Sequence, residues 1–173
     1  TETAKALGLG IKHDLPLPAV RSGLMPTKEW KQKNKKQDWF IGDTANAGIG
    51  QGFVLASPLQ LATMTARLAS GLIVQPRMLN MIDNKPTFIN DTRKLDFKTE
   101  HLNLIRSGMY DVSNHPRGTA FSSRLDKKYK IAGKTGTSQV RFISKKERET
   151  GVTKNEDLPW NRRDHALFVG YAP

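Results

Sequence analysis

The sequence contains no cysteine, which excludes disulfides and thiolate-bound metals. Histidine, another common zinc ligand, is scarce and scattered. The four histidines do not have the spacing of metal ligands; they are His13, His101, His115 and His165. We therefore expect no metal, and no motif in the sequence indicates another cofactor.

Long apolar runs are also absent. No run approaches the roughly 20 residues of a membrane-spanning helix, and no secretory signal peptide is visible. Hydrophobic residues make up 37% of the 173 positions, and the mean hydropathy is −0.54. This composition is lean for a self-sufficient globule, so we expect residues outside this chain to complete its core.

Acidic residues are few beside basic ones, with 16 Asp and Glu against 28 Lys and Arg, a net charge of +12. Such a balance suggests nucleic acid or another anionic surface as a partner. Residues 28–39 concentrate the lysines, but Trp30, Trp39 and Trp160 are not interleaved with basic residues as in RNA-binding proteins. We interpret the lysines as a solvated face and expect no nucleic-acid partner; a basic nucleic-acid-binding module is the alternative from another class.

One stretch combines a cation, hydroxyls and small residues: Lys134-Thr135-Gly136-Thr137, within residues 129–140. Tyr129 and Val140 suit a strand at its two ends. The small residues between them leave one flank of the strand bare, so that a ligand can approach backbone N–H groups closely. The stretch therefore predicts a site that binds an anion and directs backbone N–H donors at a carbonyl oxygen. A strand of small residues packed beside a helix is the alternative, because short motifs also match by accident.

The order of further motifs adds specificity. Residues 134–137 resemble the third motif of the penicillin-interacting serine enzymes. Other stretches stand in a compatible order; they are Met25–Lys31, Gly48-Ile49-Gly50-Gln51-Gly52, Ala56-Ser57-Pro58-Leu59-Gln60, and Phe168–Pro173. In this order and spacing the sequence resembles the class B penicillin-binding transpeptidases over nearly all of residues 1–173.

Two motifs of that family do not occur in the sequence. No serine has a lysine three residues later, so the Ser-x-x-Lys motif that supplies the nucleophile and its base is missing, and so is Ser-x-Asn. The resemblance therefore implies that residues 1–173 are the C-terminal portion of one transpeptidase domain. The first two catalytic motifs and the last strand and helix would lie outside it.

The resemblance implies an α+β fold, a fragment of the serine β-lactamase/transpeptidase-like fold with an antiparallel sheet flanked by helices. It implies a peptidoglycan D,D-transpeptidase, in which a serine outside this chain attacks the penultimate D-alanine carbonyl of a stem peptide. The implied partners are the peptidoglycan stem peptide, β-lactam antibiotics and membrane proteins of cell elongation. The implied location is the periplasm, in a protein anchored to the inner membrane. A β-lactamase or β-lactam sensor of the same fold is an alternative.

The resemblance also implies roles for the motif residues. Lys134 and Thr137 would be catalytic: Lys134 adds positive potential and contacts the serine of the second motif, and the Thr137 N–H is one oxyanion donor. Thr135, Gly136 and Thr137 would bind substrate, the two threonine hydroxyls holding its carboxylate. Residues 43–56 would shape the floor near this site.

Residue patterns predict the surrounding elements. Helices are expected at 1–7, at 57–70 with Ser57 and Gln60 forming a capping box, and at 99–112 with Thr99 as its cap. A short helix after residue 119, a strand at Leu72-Ile73-Val74 and a hairpin within 77–98 are also expected. Residues 166–171 indicate a buried strand, and the family resemblance implies that it is the antiparallel neighbour of the motif strand. Residues 141–163 are polar and turn-prone, and we expect a mobile flap there.

Overall fold

A computed structural model describes residues 1–87, 93–126, 128–141 and 143–173. Its helices are α1 (Glu2–Ala6), α2 (Lys28–Lys35), α3 (Ile41–Gly48), α4 (Pro58–Ser70), α5 (Thr99–Asn114) and α6 (Lys145–Thr150), and its strands are β1 (Met81–Ile82), β2 (Lys85–Pro86), β3 (Ala132–Ser138) and β4 (His165–Tyr171). Single 3₁₀ turns lie at Phe121–Ser123, Asn155–Asp157 and Trp160–Arg162. The expected α+β class is confirmed. Among the described residues, no helix is both long and apolar enough to cross a bilayer.

The strands β3 and β4 form the sheet that carries the motif. They are antiparallel, in a register that runs from Ala132 opposite Tyr171 to Ser138 opposite His165. Helix α5 packs against β3 and helix α4 against β4, so helices flank the sheet as expected. The motif strand is shorter than the predicted 129–140. Tyr129 lies in a turn closed by its N–H to the Asp126 carbonyl, and the Val140 N–H is bonded to Asp164 Oδ1 rather than to a strand.

Helix α4 has the predicted caps. Ser57 Oγ accepts from the Gln60 N–H and Gln60 Oε1 accepts from the Ser57 N–H, while Gly71 ends the helix at φ +75°. Its buried face is more polar than the sequence suggested. Gln60 is fully buried and donates from Nε2 to two loop carbonyls, at 2.8 Å each. The helix is therefore fixed to the preceding loop through hydrogen bonds that offset the cost of burying the amide.

Helix α5 extends from Thr99 to Asn114. The residue at its N-cap position is Lys98 rather than the expected Thr99, and its side chain makes no capping hydrogen bond. Leu102 and Met109 are buried as expected from their spacing, whereas Ile105 is 43% exposed. The expected short helix after residue 119 is the 3₁₀ turn that begins at residue 121.

Two expectations between α4 and α5 have different outcomes. Residues 72–74 form no strand; Leu72 makes only an isolated bridge with Lys94. The hairpin is present as β1 and β2, joined by Asp83 and Asn84 at φ +49° and +60°, the left-handed conformation that a two-residue hairpin turn requires. The turn signal at residues 90–91 lies outside the described residues.

The lysine-rich stretch forms α2, and most of its lysines are exposed as predicted. Lys31 is the exception, because it is 3% exposed and its Nζ lies 2.6 Å from Asp43 Oδ2. Asp43 also accepts from the Phe40 N–H at the start of α3. These two hydrogen bonds, the one from Lys31 first, lower the pKa of Asp43. One lysine of the stretch therefore has a structural role, fixing α2 to α3.

The prediction that residues 166–171 are buried is wrong. Strand β4 is half-buried to exposed throughout, with Leu167 at 40% and Phe168 at 51%. Helix α4 lies against one side of the strand, and no other described element covers it substantially. Residues 141–163 contain α6 and two 3₁₀ turns; their mobility stays a prediction, and Phe142 lies outside the described residues.

Candidate active site along the motif strand

The motif residues occupy β3, and burial changes along that strand. Ala132 and Gly133 at its beginning are buried, Thr135 is half-buried, and Lys134, Gly136 and Thr137 are exposed. The strand therefore emerges from the core at the motif, so the sequence prediction of an exposed flank agrees with this geometry.

Side chains identify which edge of β3 faces away from β4. The carbonyls of Ile131, Thr135 and Thr137 accept from Asn114 Nδ2 at 2.9 Å, Lys134 Nζ at 2.8 Å and Gln51 Nε2 at 3.2 Å, respectively. These carbonyls belong to alternate residues. In an antiparallel pair, the N–H and C=O of one residue face the same edge, and successive residues face opposite edges. The N–H groups of Thr135 and Thr137 therefore also point away from β4, to an edge that no described strand occupies.

Lys134 is an exposed cation on this strand. Its Nζ donates to the Thr135 carbonyl, and it forms no ion pair with any described residue. It lines a recess of about 390 Å³, together with Asp111 of α5 and with His115 in the turn that follows this helix. The ammonium group is therefore close to the motif backbone and open to solvent.

Thr135 is paired with a residue that sequence reasoning missed. Its Oγ1 lies 2.9 Å from Thr119 Oγ1, in the turn after α5. Gly118 positions this turn, because an added Cβ would collide with the carbonyl oxygens of Asp111 and Val112. A lone threonine sixteen residues from the motif carries no signal in one sequence, so only the fold brings the two hydroxyls together.

The Phe168 ring lies on the same face of the sheet as the Thr135 side chain, because the two residues are directly opposite each other in the register. A Cβ at Gly133 would collide with this ring and lie 2.7 Å from the Val169 carbonyl oxygen, and one at Gly170 would lie 2.9 Å from the ring. The absence of side chains at these two glycines therefore leaves the space that the Phe168 ring occupies. The ring, with Leu125 and Thr135 among its neighbours, borders a mainly apolar cavity of about 330 Å³.

The glycine-rich segment lies beside the end of the motif, near the place the resemblance implied. Gly50 and Gly52 have φ +74° and +70°, a conformation that disfavours residues with a Cβ. They form the turn that presents Gln51 to the Thr137 carbonyl, 86 residues away in sequence. Gln51 is therefore a second neighbour of the site. It belongs to the glycine-rich motif, but the residue pattern does not indicate a role for its side chain.

Ionisable clusters elsewhere do not suggest metal chemistry. No three His, Asp or Glu side chains in the described part of the chain are grouped as metal ligands. One ion pair lies past the end of β3, where Arg141 and Glu147 make two contacts of 2.6 and 2.8 Å. The hydrogen bond from Arg141 lowers the pKa of Glu147, and the same bond raises that of Arg141. Both groups are therefore charged at neutral pH.

A two-stranded antiparallel sheet flanked by helices, with a Lys-Thr-Gly-Thr strand exposed at its edge, is the arrangement that the family resemblance implies. The chain belongs to the penicillin-binding protein transpeptidase domain family, whose model matches residues 1–173. Within class B, the motif order and spacing resemble the penicillin-binding protein 2 branch most closely.

Relatives confirm that branch. The peptidoglycan D,D-transpeptidase MrdA of Escherichia coli K12 is 34% identical over 172 residues, and that of Acinetobacter baumannii is 37% identical over 175. The alignments cover 96% and 98% of this chain but 26% and 25% of those proteins. The chain thus spans about a quarter of the length of these curated relatives.

Solved structures show the same fold. PBP2 of Pseudomonas aeruginosa, in complex with WCK 5153, matches 99% of this chain and 35% of that one, with a TM-score of 0.79 and 35% identity. PBP2 of Helicobacter pylori, in complex with MreC, matches 99% of this chain and 28% of that one, with a TM-score of 0.76 and 34% identity.

Proposed function

We propose that this chain is the C-terminal portion of a peptidoglycan D,D-transpeptidase domain and forms one wall of its active site. The observation that carries the proposal is the exposed edge of β3, where the N–H groups of Thr135 and Thr137 point away from β4. The serine nucleophile and its base would come from a part of the domain outside residues 1–173, since no Ser-x-x-Lys occurs within them.

Each motif residue has a role that suits its position. The Thr137 N–H donates to the oxygen of the reacting carbonyl, where negative charge develops in the transition state; one such donor is commonly worth about 2.7–4 kcal/mol of barrier. The hydroxyls of Thr135 and Thr137 bind the terminal carboxylate of the stem peptide. Gly136 presents no side chain to the ligand, and Lys134 supplies positive potential.

The reaction in this proposal is acyl transfer. The serine oxygen attacks the penultimate D-alanine carbonyl, the C–N bond breaks, and the terminal D-alanine leaves as its amine after taking up a proton. An amine on a neighbouring peptide then attacks the acyl-enzyme and releases the serine. β-Lactam antibiotics would acylate the same serine.

The relatives support wider proposals. The H. pylori PBP2 is in a complex with MreC. From the family resemblance, we propose a membrane protein of cell elongation as a partner of the protein that contains this chain. We also propose that this part of the protein is periplasmic and that its anchor lies in the inner membrane.

Intact-mass measurement after incubation with penicillin tests the central proposal. The intact protein should gain one penicillin per molecule, on a serine outside residues 1–173. The 173-residue chain alone should gain none. A stoichiometric adduct on the isolated chain, or no adduct on the folded intact protein, would overturn the proposal.

A further inference from the structure

A polar cavity of about 360 Å³ lies just past the C-terminal end of β3. Asn46 and Gln51 line it from the α3 side, Gln139 and Arg141 from the segment that follows β3, and Arg148 from α6. Gln51 links it directly to the motif, because its amide also donates to the Thr137 carbonyl. The cavity therefore begins where the proposed active site ends.

The charge of this cavity comes from one residue. Arg141 and Glu147 make two contacts with each other, and their opposite charges cancel. Both side chains are mostly buried, at 13% and 23% exposure. Among the described residues, the Arg148 side chain has no ion pair or hydrogen bond, and no carboxylate lines the cavity. A free guanidinium beside side-chain amides suits a planar carboxylate, to which it can donate two parallel hydrogen bonds.

The direction in which the stem peptide would run along β3 determines which of its residues lies beside this cavity. This step rests on the proposed function, in which the terminal carboxylate lies at the Thr135 and Thr137 hydroxyls and the reacting carbonyl at the Thr137 N–H. The residues that precede the reacting one must then run past Ser138 and Gln139, antiparallel to β3. At about 3.4 Å per residue, the residue before the two terminal D-alanines lies some 3–7 Å beyond Thr137. That position is opposite Gln139, where the cavity opens.

We propose that this cavity is a subsite for a carboxylate on the side chain of the stem-peptide residue that precedes the two terminal D-alanines, with Arg148 as the residue that selects it. The Arg141–Glu147 pair, in which the two charges cancel, forms one wall of the cavity, and Arg148 supplies the net charge. The site thus discriminates between peptides that differ only in whether this side chain carries a carboxylate or an uncharged amide.

Two donor peptides test the subsite in the intact protein. They are identical except for a carboxylate or a primary amide on that side chain, and release of D-alanine gives kcat/KM for each. Because Arg148 is exposed, we expect the wild-type protein to prefer the carboxylate about two- to fivefold, mainly through KM, the effect of an exposed charge pair. Arg148→Gln should abolish the preference, and Arg148→Lys should retain part of it. A ratio measured on one preparation does not depend on the fraction of folded enzyme.

Lys146→Gln is the matched control, because it removes the same charge from the same helix outside the cavity. It should leave the ratio unchanged. A wild-type ratio near one, or an unchanged ratio in Arg148→Gln, would overturn the subsite. An equal loss of the carboxylate preference in both variants would also overturn the subsite, since the preference would then arise from the overall positive charge. Failure of the proposed function looks different: neither peptide would release D-alanine, and penicillin would not acylate the protein.

Discussion

The two ends of the motif strand differ in what surrounds them. At its beginning, Ala132 is 1% exposed, Gly133 lies under the Phe168 ring, and Asn114 of α5 holds the Ile131 carbonyl. At its end, Thr137 is exposed and its carbonyl is held by one glutamine side chain, beside a polar cavity. Packing thus fixes the strand at one end, and the other end is left free to contact a ligand. Such a division suits a site that must be both positioned and accessible.

The largest effect should follow from breaking the buried end. Gly133→Val places methyl groups where the Phe168 ring and the Val169 carbonyl already lie, so we expect the free energy of unfolding of the intact protein to fall by about 3 kcal/mol. Urea denaturation measures this. Gly136→Ala is the control, because its Cβ would meet only Leu167 at an ordinary 3.7 Å. Equal stability of Gly133→Val and wild type would show that β4 does not pack as described.

The next effect concerns the exposed cation. Lys134→Ala should slow acylation by penicillin about 10- to 100-fold, as expected for the loss of a charge-assisted hydrogen bond worth about 1.5–3 kcal/mol, and leave the fold intact. Lys134→Arg should rescue only part of the rate, because a planar guanidinium does not replace a compact ammonium. Stopped-flow acylation with circular dichroism as the folding control checks both. A wild-type rate in the alanine variant would make Lys134 an ordinary surface lysine.

Some features of the motif strand and its surroundings could be predicted from the sequence, and others could not. Small residues and motif order predicted β3 and the exposed motif, because these depend on local pattern. The pairing of β3 with β4 was expected from the family resemblance, since local pattern does not show which distant strands pair. The contacts of Thr119 and Gln51 depend on tertiary folding, and nothing in their neighbourhoods signals them. The apolar run at 166–171 indicated burial, but burial depends on what covers a strand. Helix α3 does not follow from the sequence, because Gly42 and Gly48 are poor helix formers, whereas the Asp43 hydrogen bonds that stabilise its start are visible only in the structure.

A smaller effect should follow from releasing the exposed end. Gln51→Ala removes the side chain that holds the Thr137 carbonyl, so the N–H of the same residue is less well positioned. We expect the acylation rate to fall about two- to tenfold, the range for a single neutral hydrogen bond. Asn46→Ala is the comparison, because Asn46 lines the same cavity and its hydrogen bonds from the Ile49 and Gln51 N–H groups are accepted by the backbone carbonyl, which the substitution keeps. If the acylation rate falls equally in the two variants, the rate depends on the shape of the cavity rather than on the contact between Gln51 and the Thr137 carbonyl.

The smallest effect is one of pH. Because Arg141 lowers the pKa of Glu147, the pair stabilises the fold fully at neutral pH, and this contribution is lost only as the pH falls below about 4.5 through the lowered value. Glu147→Gln should therefore reduce the Tm slightly at pH 7 and have progressively less effect towards pH 3. Thermal unfolding monitored at several pH values checks this. A difference that grows in acid would contradict the assigned pair.

Strand β4 has a practical consequence for anyone who handles these residues alone. Among the described residues it pairs only with β3, so its outer edge presents unsatisfied N–H and C=O groups beside the exposed Leu167 and Phe168. An uncovered edge of this kind is a template on which a second molecule can add a strand, and it promotes aggregation. The net charge of +12 opposes that association by repulsion, an effect that salt weakens. Preparations of this segment should therefore be most soluble in buffers of low ionic strength.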